Sequence, residues 1–288
     1  MISNDEKIIM VVVTFNRKQL LRRNICSLLD QSRLPDAIIV VDNASSDGTQ
    51  EMLREEFPNH PLLQYVNLGS NLGGAGGFHY GAKLAVETGA DWVCLMDDDC
   101  RLHPDCMRQL LKNVDDRKNV YSPIILSVED KKTVLWGINA TVDTGNHKIV
   151  TLPFNGFLIH RESIAEIGYP DKDFFIYGDD ADYNFRARAS GREIIMVTDS
   201  VMYHPLKNTL QGLNIIKMFM NKHWVYYKLR NAIVVFNRYG YLSFKQMVML
   251  FVALVFHTVT LNLKFIKLWI DGLKDGMKNN VHIRDFDT

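Results

Sequence analysis

The chain has 288 residues, 47% hydrophobic and 23% charged, with 33 Lys and Arg balancing 33 Asp and Glu. That is the composition of an ordinary globular protein, long enough to bury a full core. The neutrality is uneven, because from Pro205 onward 12 Lys and Arg face 4 Asp and Glu, leaving 21 against 29 before it. An acidic body with a basic tail argues against a nucleic-acid reader with a broad basic face, and suits a metal-gathering body whose tail meets something anionic.

The polar start Ser3-Asn4-Asp5-Glu6 does not read as a signal peptide. Residues 8–14 (IIMVVVT) are short, β-branched and apolar on both faces, which predicts a buried parallel strand. A helix is expected over 17–31, from the spacing of Leu20, Leu21, Ile25, Leu28 and Leu29. A second buried strand, 37–41, ends on Asp42 and the turn-rich NASSDGT; a helix (49–57) and a strand (63–67) follow. A glycine-rich turn then leads to a helix over 77–87, and the strand 92–96 runs into Asp97. Repeated β-α-β units predict a doubly wound parallel sheet, in which ligands bind at the carboxyl ends of strands. Three suspect clusters fall at such ends: Thr14/Asn16/Arg17, residues 42–49, and residues 97–99.

Beyond Pro104 the pattern loosens into a helix (105–114), a strand (120–126) and a hairpin around 133–152 that leads to Phe154-Asn155-Gly156. A helix over 179–190, closed by Gly191, and a strand over 193–197 follow. From Leu213 the composition shifts to long amphipathic helices. Residues 247–263 are almost wholly apolar and of a length at the edge of what spans a bilayer; polar His257, Thr258, Thr260 and Asn262 favour a buried or interfacial helix.

Asp97-Asp98-Asp99 places three mutually repelling carboxylates after a buried strand, a site that a cation would relieve. Hard ions such as Mg²⁺ or Mn²⁺ bind through one or two carboxylates plus substrate phosphates. In an extended segment Asp97 and Asp99 point the same way, one toward metal and the other toward sugar or ribose. The glycine-rich run from Asn67 to Gly77, with Asn71, Gly73 and Gly74 at its centre, suits either a diphosphate or a close backbone approach; it is neither a P-loop nor a clean G-x-G-x-x-G. Asp179, Asp180 and Asp182 crowd a helix start, where a cap needs one carboxylate, so one of the three is free to act as a general base. The pattern is no EF-hand, because Phe185 replaces the required glycine. His204 completes a candidate ligand set. Cys26, Cys94, Cys100 and Cys106 form no C-x-x-C pair and read as reduced thiols of a cytosolic protein; Cys94, Cys100, His103 and Cys106 match no common zinc spacing.

The ordered motifs VVVTFNR (11–17), VDNASSDGT (41–49), NLGGAGGF (71–78), MDDD (96–99), NGF (155–157), GDDADYNFRARASG (178–191) and Tyr203-His204 resemble family 2 glycosyltransferases over residues 8 to about 205. Within that family, the run NLGGAGG and the DDADY segment look most like galactofuranosyltransferases, with rhamnosyltransferases next. Gly178 stands where galactofuranosyl polymerases tend to carry a Trp, and WVYYKLRN (224–231) also resembles this subgroup.

The resemblance implies an α/β fold of the GT-A type: a doubly wound, mostly parallel sheet over 1–205 with a helical extension over 206–288. It implies an inverting, metal-dependent hexosyltransferase using Mn²⁺ or Mg²⁺, with Asp97, Asp99 and His204 as metal ligands and Asp180 as catalytic base. Thr14, Asn16, Arg17, Asp42, Asn71, Gly73, Gly74, Asp97, Asp98 and Asp179 would hold the nucleotide sugar, with UDP-galactofuranose ranked before dTDP-rhamnose. The expected acceptor is a lipid-linked oligosaccharide of cell-surface, O-antigen-like polysaccharide synthesis, met at the cytoplasmic face of the cell membrane. Peripheral contact or a homo-oligomer would form through the C-terminal helices. Rival readings are a nucleotidyltransferase, whose glycine-rich N-terminal signature VVVTFNRKQL lacks, and a non-catalytic sugar-binding subunit of an assembly complex. A glycosidase would also use two carboxylates but needs no nucleotide pocket.

Overall fold

The computed structural model describes residues 6–136, 145–206, 213–284 and 286. The first half follows the expected order: β1 (Ile8–Thr14), α1 (Lys18–Leu29), β2 (Ala37–Asp42), α2 (Thr49–Glu56), β3 (Leu63–Asn67), α3 (Gly73–Glu87) and β4 (Trp92–Asp97). β1 lies between β2 and β4, with β3 outside β2, all parallel. Side-chain alternation along β1 divides the core. Ile8, Met10 and Val12 pack with Leu21, Ile25 and Leu28 of α1. Ile9, Val11 and Val13 pack with Phe78, Ala82 and Ala85 of α3 on the other face.

The chain continues through β5 (Arg101–Leu102), α4 (Cys106–Lys112), β6 (Val120–Ser127), β7 (Asn146–Ile149), β8 (Asn155–His160), α5 (Arg161–Ile167), a 3₁₀ turn (Lys172–Phe174), α6 (Asp179–Ala189) and β9 (Ile194–His204). The strands form one nine-stranded sheet in the order β3-β2-β1-β4-β8-β6-β9-β5, with β7 beside β9. β8 is antiparallel to both β4 and β6, while β6 and β9 are parallel. The result is a mixed, mostly parallel α/β sheet.

The structure departs from these expectations in several places. The helix expected from residue 77 begins at Gly73. The glycines are therefore largely inside it, and they let α3 sit close on the sheet: a Cβ at Gly77 would lie 2.4 Å from a methyl of Val13, and one at Gly81 2.3 Å from a methyl of Val11. The strand expected over 193–197 runs on to His204 through a register shift opposite Pro123 and Ile124. β8 and α5 were not anticipated, because β8 is buried on both faces and carries no period-two signal. Of the expected hairpin, 137–144 lie outside the described residues. Val134 bridges Leu126, and β7 pairs with β9.

The C-terminal region is helical: α7 (Leu213–Phe219), α8 (Lys222–Tyr239), α9 (Phe244–Val259) and α10 (Leu263–Met277). Its helices share a core of Phe219, Trp224, Val225, Leu250, Ala253, Phe265, Leu268 and Trp269. α8 also reaches the sheet-bearing part: Val234 and Val235 pack with Ala75 and Phe174, and Tyr226 and Tyr227 with Phe175. The apolar run of 247–263 is broken between α9 and α10, and among the described residues no helix is long and apolar enough to cross a membrane.

Candidate active site

Register brings the suspect residues to one edge. Thr14 pairs with Asp42, Asp42 with Asn67, and Val13 with Asp97, so β1, β2, β3 and β4 all end in one row. That row is the carboxyl edge of the parallel half of the sheet, where α/β folds of this kind bind their ligands.

At its centre the chain turns after Asp97, so the extended alternation expected across 97–99 stops at the end of β4. Asp98, not Asp97, turns back to β1: Thr14 Oγ1 donates to it at 2.7 Å and Arg17 Nη1 at 3.2 Å. The same Arg17 nitrogen donates to Asp99 Oδ2 at 3.1 Å. Burial pushes the Asp98 carboxyl up to about 6, against Arg17 and the Thr14 hydroxyl, which favour its charge. Burial also opposes the Arg17 charge, but Asp98, Asp99 and Asp97 outweigh it and hold that guanidinium above its ordinary pKa.

His204, at the end of β9, faces this cluster. Its Nδ1 lies 2.7 Å from the carbonyl of Pro205, which only accepts, so Nδ1 carries the ring proton. Its Nε2 then points a lone pair at Asp99 Oδ1, 3.0 Å away. Two facing lone pairs need a cation or a second ring proton between them, and a divalent ion with mixed oxygen and nitrogen donors fits that set. Cys100 Sγ belongs to the same group, whose ligand atoms lie within 4.8 Å of one another, though the thiol donates to Asn155 Oδ1 at 3.1 Å. Asp97 lies outside this group.

The second carboxylate cluster opens α6. The structure separates its members. Asp182 is fully buried and taken by Arg238 at 2.7 Å, Arg186 at 2.9 Å and the Tyr239 hydroxyl at 3.0 Å, which makes it a structural anion. Asp179 and Asp180 remain. Burial raises Asp179 well above the usual carboxylate range, with Asp180 and Asp97 adding to it, so the end of β4 and the start of α6 lie near one another. Burial raises Asp180 as well, opposed by the Ala181 amide, which donates to it at 2.7 Å, and by Lys228 of α8. Lys228 is itself lowered by burial against the pull of Asp180 and Asp179, and its Nζ lies 5.1 Å from the Tyr177 ring centre.

The remaining expected contacts shape loops. Asn16, in the left-handed region at φ 52°, accepts from the Ser46 amide at 2.7 Å, and its own amide donates to Ser45 Oγ at 2.8 Å. Asp42 is fully buried and accepts from the Ser45 amide at 2.9 Å and the Tyr65 hydroxyl at 2.8 Å. Asn71 caps the Gly73 amide at 2.9 Å. Gly73 itself sits at φ 74°, where a Cβ would fall 2.0 Å from the Phe175 carbonyl oxygen, so close backbone approach accounts for that glycine; at Gly74 a Cβ would meet only the Phe78 ring at 3.9 Å, an ordinary contact. The sequence reading did not single out Lys228 as facing the acids, nor Asn43, which ties the 72–73 turn to the end of β2 through Leu72 N at 3.1 Å and Gly73 O at 3.2 Å.

The chain is 32% identical over 217 residues to the galactofuranosyltransferase GlfT1 of Mycobacterium tuberculosis, covering 69% of this chain and 70% of the relative. It is 21% identical over 289 residues to the dTDP-rhamnosyl transferase RfbF of Shigella flexneri, covering 93% and 94%. Among solved structures it resembles GalNAc-T7 with UDP, GalNAc and Mn²⁺, with a TM-score of 0.64 at 16% identity. That match covers 82% of this chain but 48% of the neighbour, and it bears out the GT-A fold alone. The family model described as glycosyl transferase family 2 matches residues 9–182, from the first strand to the acids that open α6. On that match, and on a carboxyl edge that gathers its motifs, the chain belongs to the family 2 glycosyltransferases.

Proposed function

We propose that this glycosyltransferase moves a sugar from a nucleoside diphosphate donor, UDP-galactofuranose first and dTDP-rhamnose second, to a lipid-linked glycan of cell-surface polysaccharide synthesis, with inversion. The observation that carries the reading is the gathering of two acid clusters near the carboxyl edge: the 97–99 run, with Asp98 and Asp99 held by Arg17 and Asp99 by His204, and the acids that open α6, where the charge of Asp97 reaches Asp179. Similarity to GlfT1 supports the first donor, and the longer but weaker similarity to RfbF supports the second.

In this reading Thr14, Arg17 and Asp42 hold the nucleoside end of the donor. Asp99 and His204 would hold a divalent cation, Mn²⁺ or Mg²⁺, with Asp97 the further ligand the motif offers. When bound, that ion neutralises charge on the departing diphosphate. Asp180 takes the proton of the acceptor hydroxyl as that oxygen bonds to the anomeric carbon. The bond from carbon to the diphosphate oxygen breaks on the opposite face, and its electron pair leaves with the nucleotide. Burial raises the Asp180 pKa above that of an ordinary exposed carboxylate, which makes it a stronger base.

The site would work at the cytoplasmic face of the membrane. α9 and the turn after it expose Phe244, Phe251, Val259 and Leu261 at 76%, 67%, 75% and 77%, within the basic tail. Apolar groups among lysines suit an anionic interface. Thermal shift with nucleotide and Mn²⁺ tests the donor ranking, since a ligand stabilises the state it binds. UDP is expected to raise Tm more than dTDP does, and the reverse order would make the rhamnosyl donor the better reading. Stabilisation by nucleotide without turnover of any sugar nucleotide would favour a non-catalytic sugar-binding subunit.

A further inference from the structure

The backbone just before α6 is unusual. Phe175 has φ 64° and ψ −64°, Tyr177 has φ 67°, and Gly178 has φ 87°. At Phe175 this is the rare γ-turn of positive φ, closed by the Ile176 amide donating to the Phe174 carbonyl at 2.8 Å. Two residues other than glycine in left-handed conformations within three positions are strained, and they persist only where the surroundings over-determine them.

The surroundings here come from α8. Asn231 Nδ2 donates to three carbonyls of the turn, Phe174 at 3.1 Å, Ile176 at 2.9 Å and Tyr177 at 2.6 Å. Arg230 Nη2 donates to Asp173 O at 2.9 Å and Phe174 O at 3.1 Å, and its Nε donates to Asn231 Oδ1 at 2.7 Å, which fixes the amide's orientation. Both side chains are buried, and Arg230 lies 4.8 Å from the Tyr227 ring centre, which stacks on Phe175. From α3, the Ala75 amide holds the Phe175 carbonyl at 3.1 Å. The turn is thus bonded to α3 on one side and α8 on the other, and what it carries forward is the start of α6 with Asp179 and Asp180.

We propose that Asn231, with Arg230 behind it, is the positioning residue of the catalytic base: α8 belongs to the active site and fixes Asp180 by clamping the strained 173–178 backbone. The inference rests on the reading of Asp180 as the base. The Asn231 amide is engaged by the carbonyls of Phe174, Ile176 and Tyr177 and by Arg230, so it acts through the loop. Displacement of a reacting group by about 1 Å costs on the order of 10²-fold in rate, so releasing the clamp acts on kcat and leaves the distant nucleotide contacts in place.

A double-mutant cycle on the full chain tests it, with Asp180→Asn, Asn231→Ala and the pair. Steady-state transfer, donor KM and thermal unfolding are read for each. Asn231→Ala is expected to lower kcat by roughly 10- to 100-fold with donor KM within about threefold of wild type. On the Asp180→Asn background it is expected to remove little more, because the residue it positions is already gone. A kcat within about twofold of wild type for Asn231→Ala, or a full further loss on the Asp180→Asn background, overturns the proposal. An Asp180→Asn variant with wild-type turnover instead overturns the base assignment on which it rests. If the alanine variant loses cooperative unfolding, Asn231→Ser, which keeps one short donor, enters the same cycle. Failure of both to fold makes Asn231 a folding residue and overturns its positioning role.

Discussion

Asp99 meets Arg17 through one carboxylate oxygen at 3.1 Å and His204 through the other at 3.0 Å. It lies past the end of β4, so its loss leaves the strand ladder untouched. Asp99→Ala is expected to abolish transfer and the Mn²⁺ dependence of nucleotide binding while keeping the wild-type circular dichroism spectrum. Unchanged Mn²⁺ binding by calorimetry in that variant would place the ion elsewhere. The acid run is legible in the sequence because three carboxylates directly after the buried VCLM strand favour a cation over a solvated acidic loop. Which of them turns toward Arg17 is not, because the turn at 98–99 ends the two-residue alternation on which the reading relied. Among Asp179, Asp180 and Asp182 the sequence left the base open. Only the arrival of Arg238 and Tyr239 from α8, more than fifty residues on, removes Asp182 from the choice.

At the level of elements, α3 and α8 place the site from either side. Gly81 of α3 faces Val11 and Val41, where a Cβ would come within 2.3 Å and 2.9 Å of their methyls. Gly81→Ala should cost about 1–3 kcal/mol by overpacking, read as a lower denaturant midpoint; an unchanged midpoint would mean the helix can lift from the sheet freely. α8 contributes charge as well as the clamp. Lys228 favours the ionised form of Asp180 against a burial that favours the neutral one. Removing the ammonium therefore raises the Asp180 pKa further. Lys228→Gln is expected to move the acid limb of the kcat profile to higher pH, with the largest loss at low pH and the least on the alkaline plateau. A limb that stays in place or moves down would separate Lys228 from the base. The parallel half of the sheet was readable from β-branched runs and intervening helical spacing. β8 was hidden by burial on both faces, and the glycine run was readable as a close approach or a phosphate cradle with nothing in the sequence to choose between them.

On the scale of the whole molecule, charge and exposed apolar surface both gather in the C-terminal region. Phe244, Phe251, Val259, Leu261 and Leu263 stand in solvent, in a tail where basic residues outnumber acidic ones threefold. Each basic side chain near an anionic bilayer contributes about 1 kcal/mol, and salt screens that attraction. Flotation with phosphatidylserine-containing vesicles is expected at low salt and is expected to weaken steeply at high salt. Protein that stays at the bottom of the gradient at low salt, and sediments as a dimer, would assign the same surface to a second copy of the chain.

Transfer itself is the most direct test. The 288-residue chain is assayed for nucleotide release from UDP-galactofuranose and dTDP-rhamnose with a lipid-linked acceptor, before and after exhaustive EDTA treatment and on Mn²⁺ return. Asp180→Asn is assayed in parallel. The two acid clusters predict acceptor-dependent release that EDTA abolishes, that Mn²⁺ restores, and that Asp180→Asn lowers by roughly 10²–10⁴-fold. Release that survives EDTA, or an Asp180→Asn variant within a few-fold of wild type, would contradict the site.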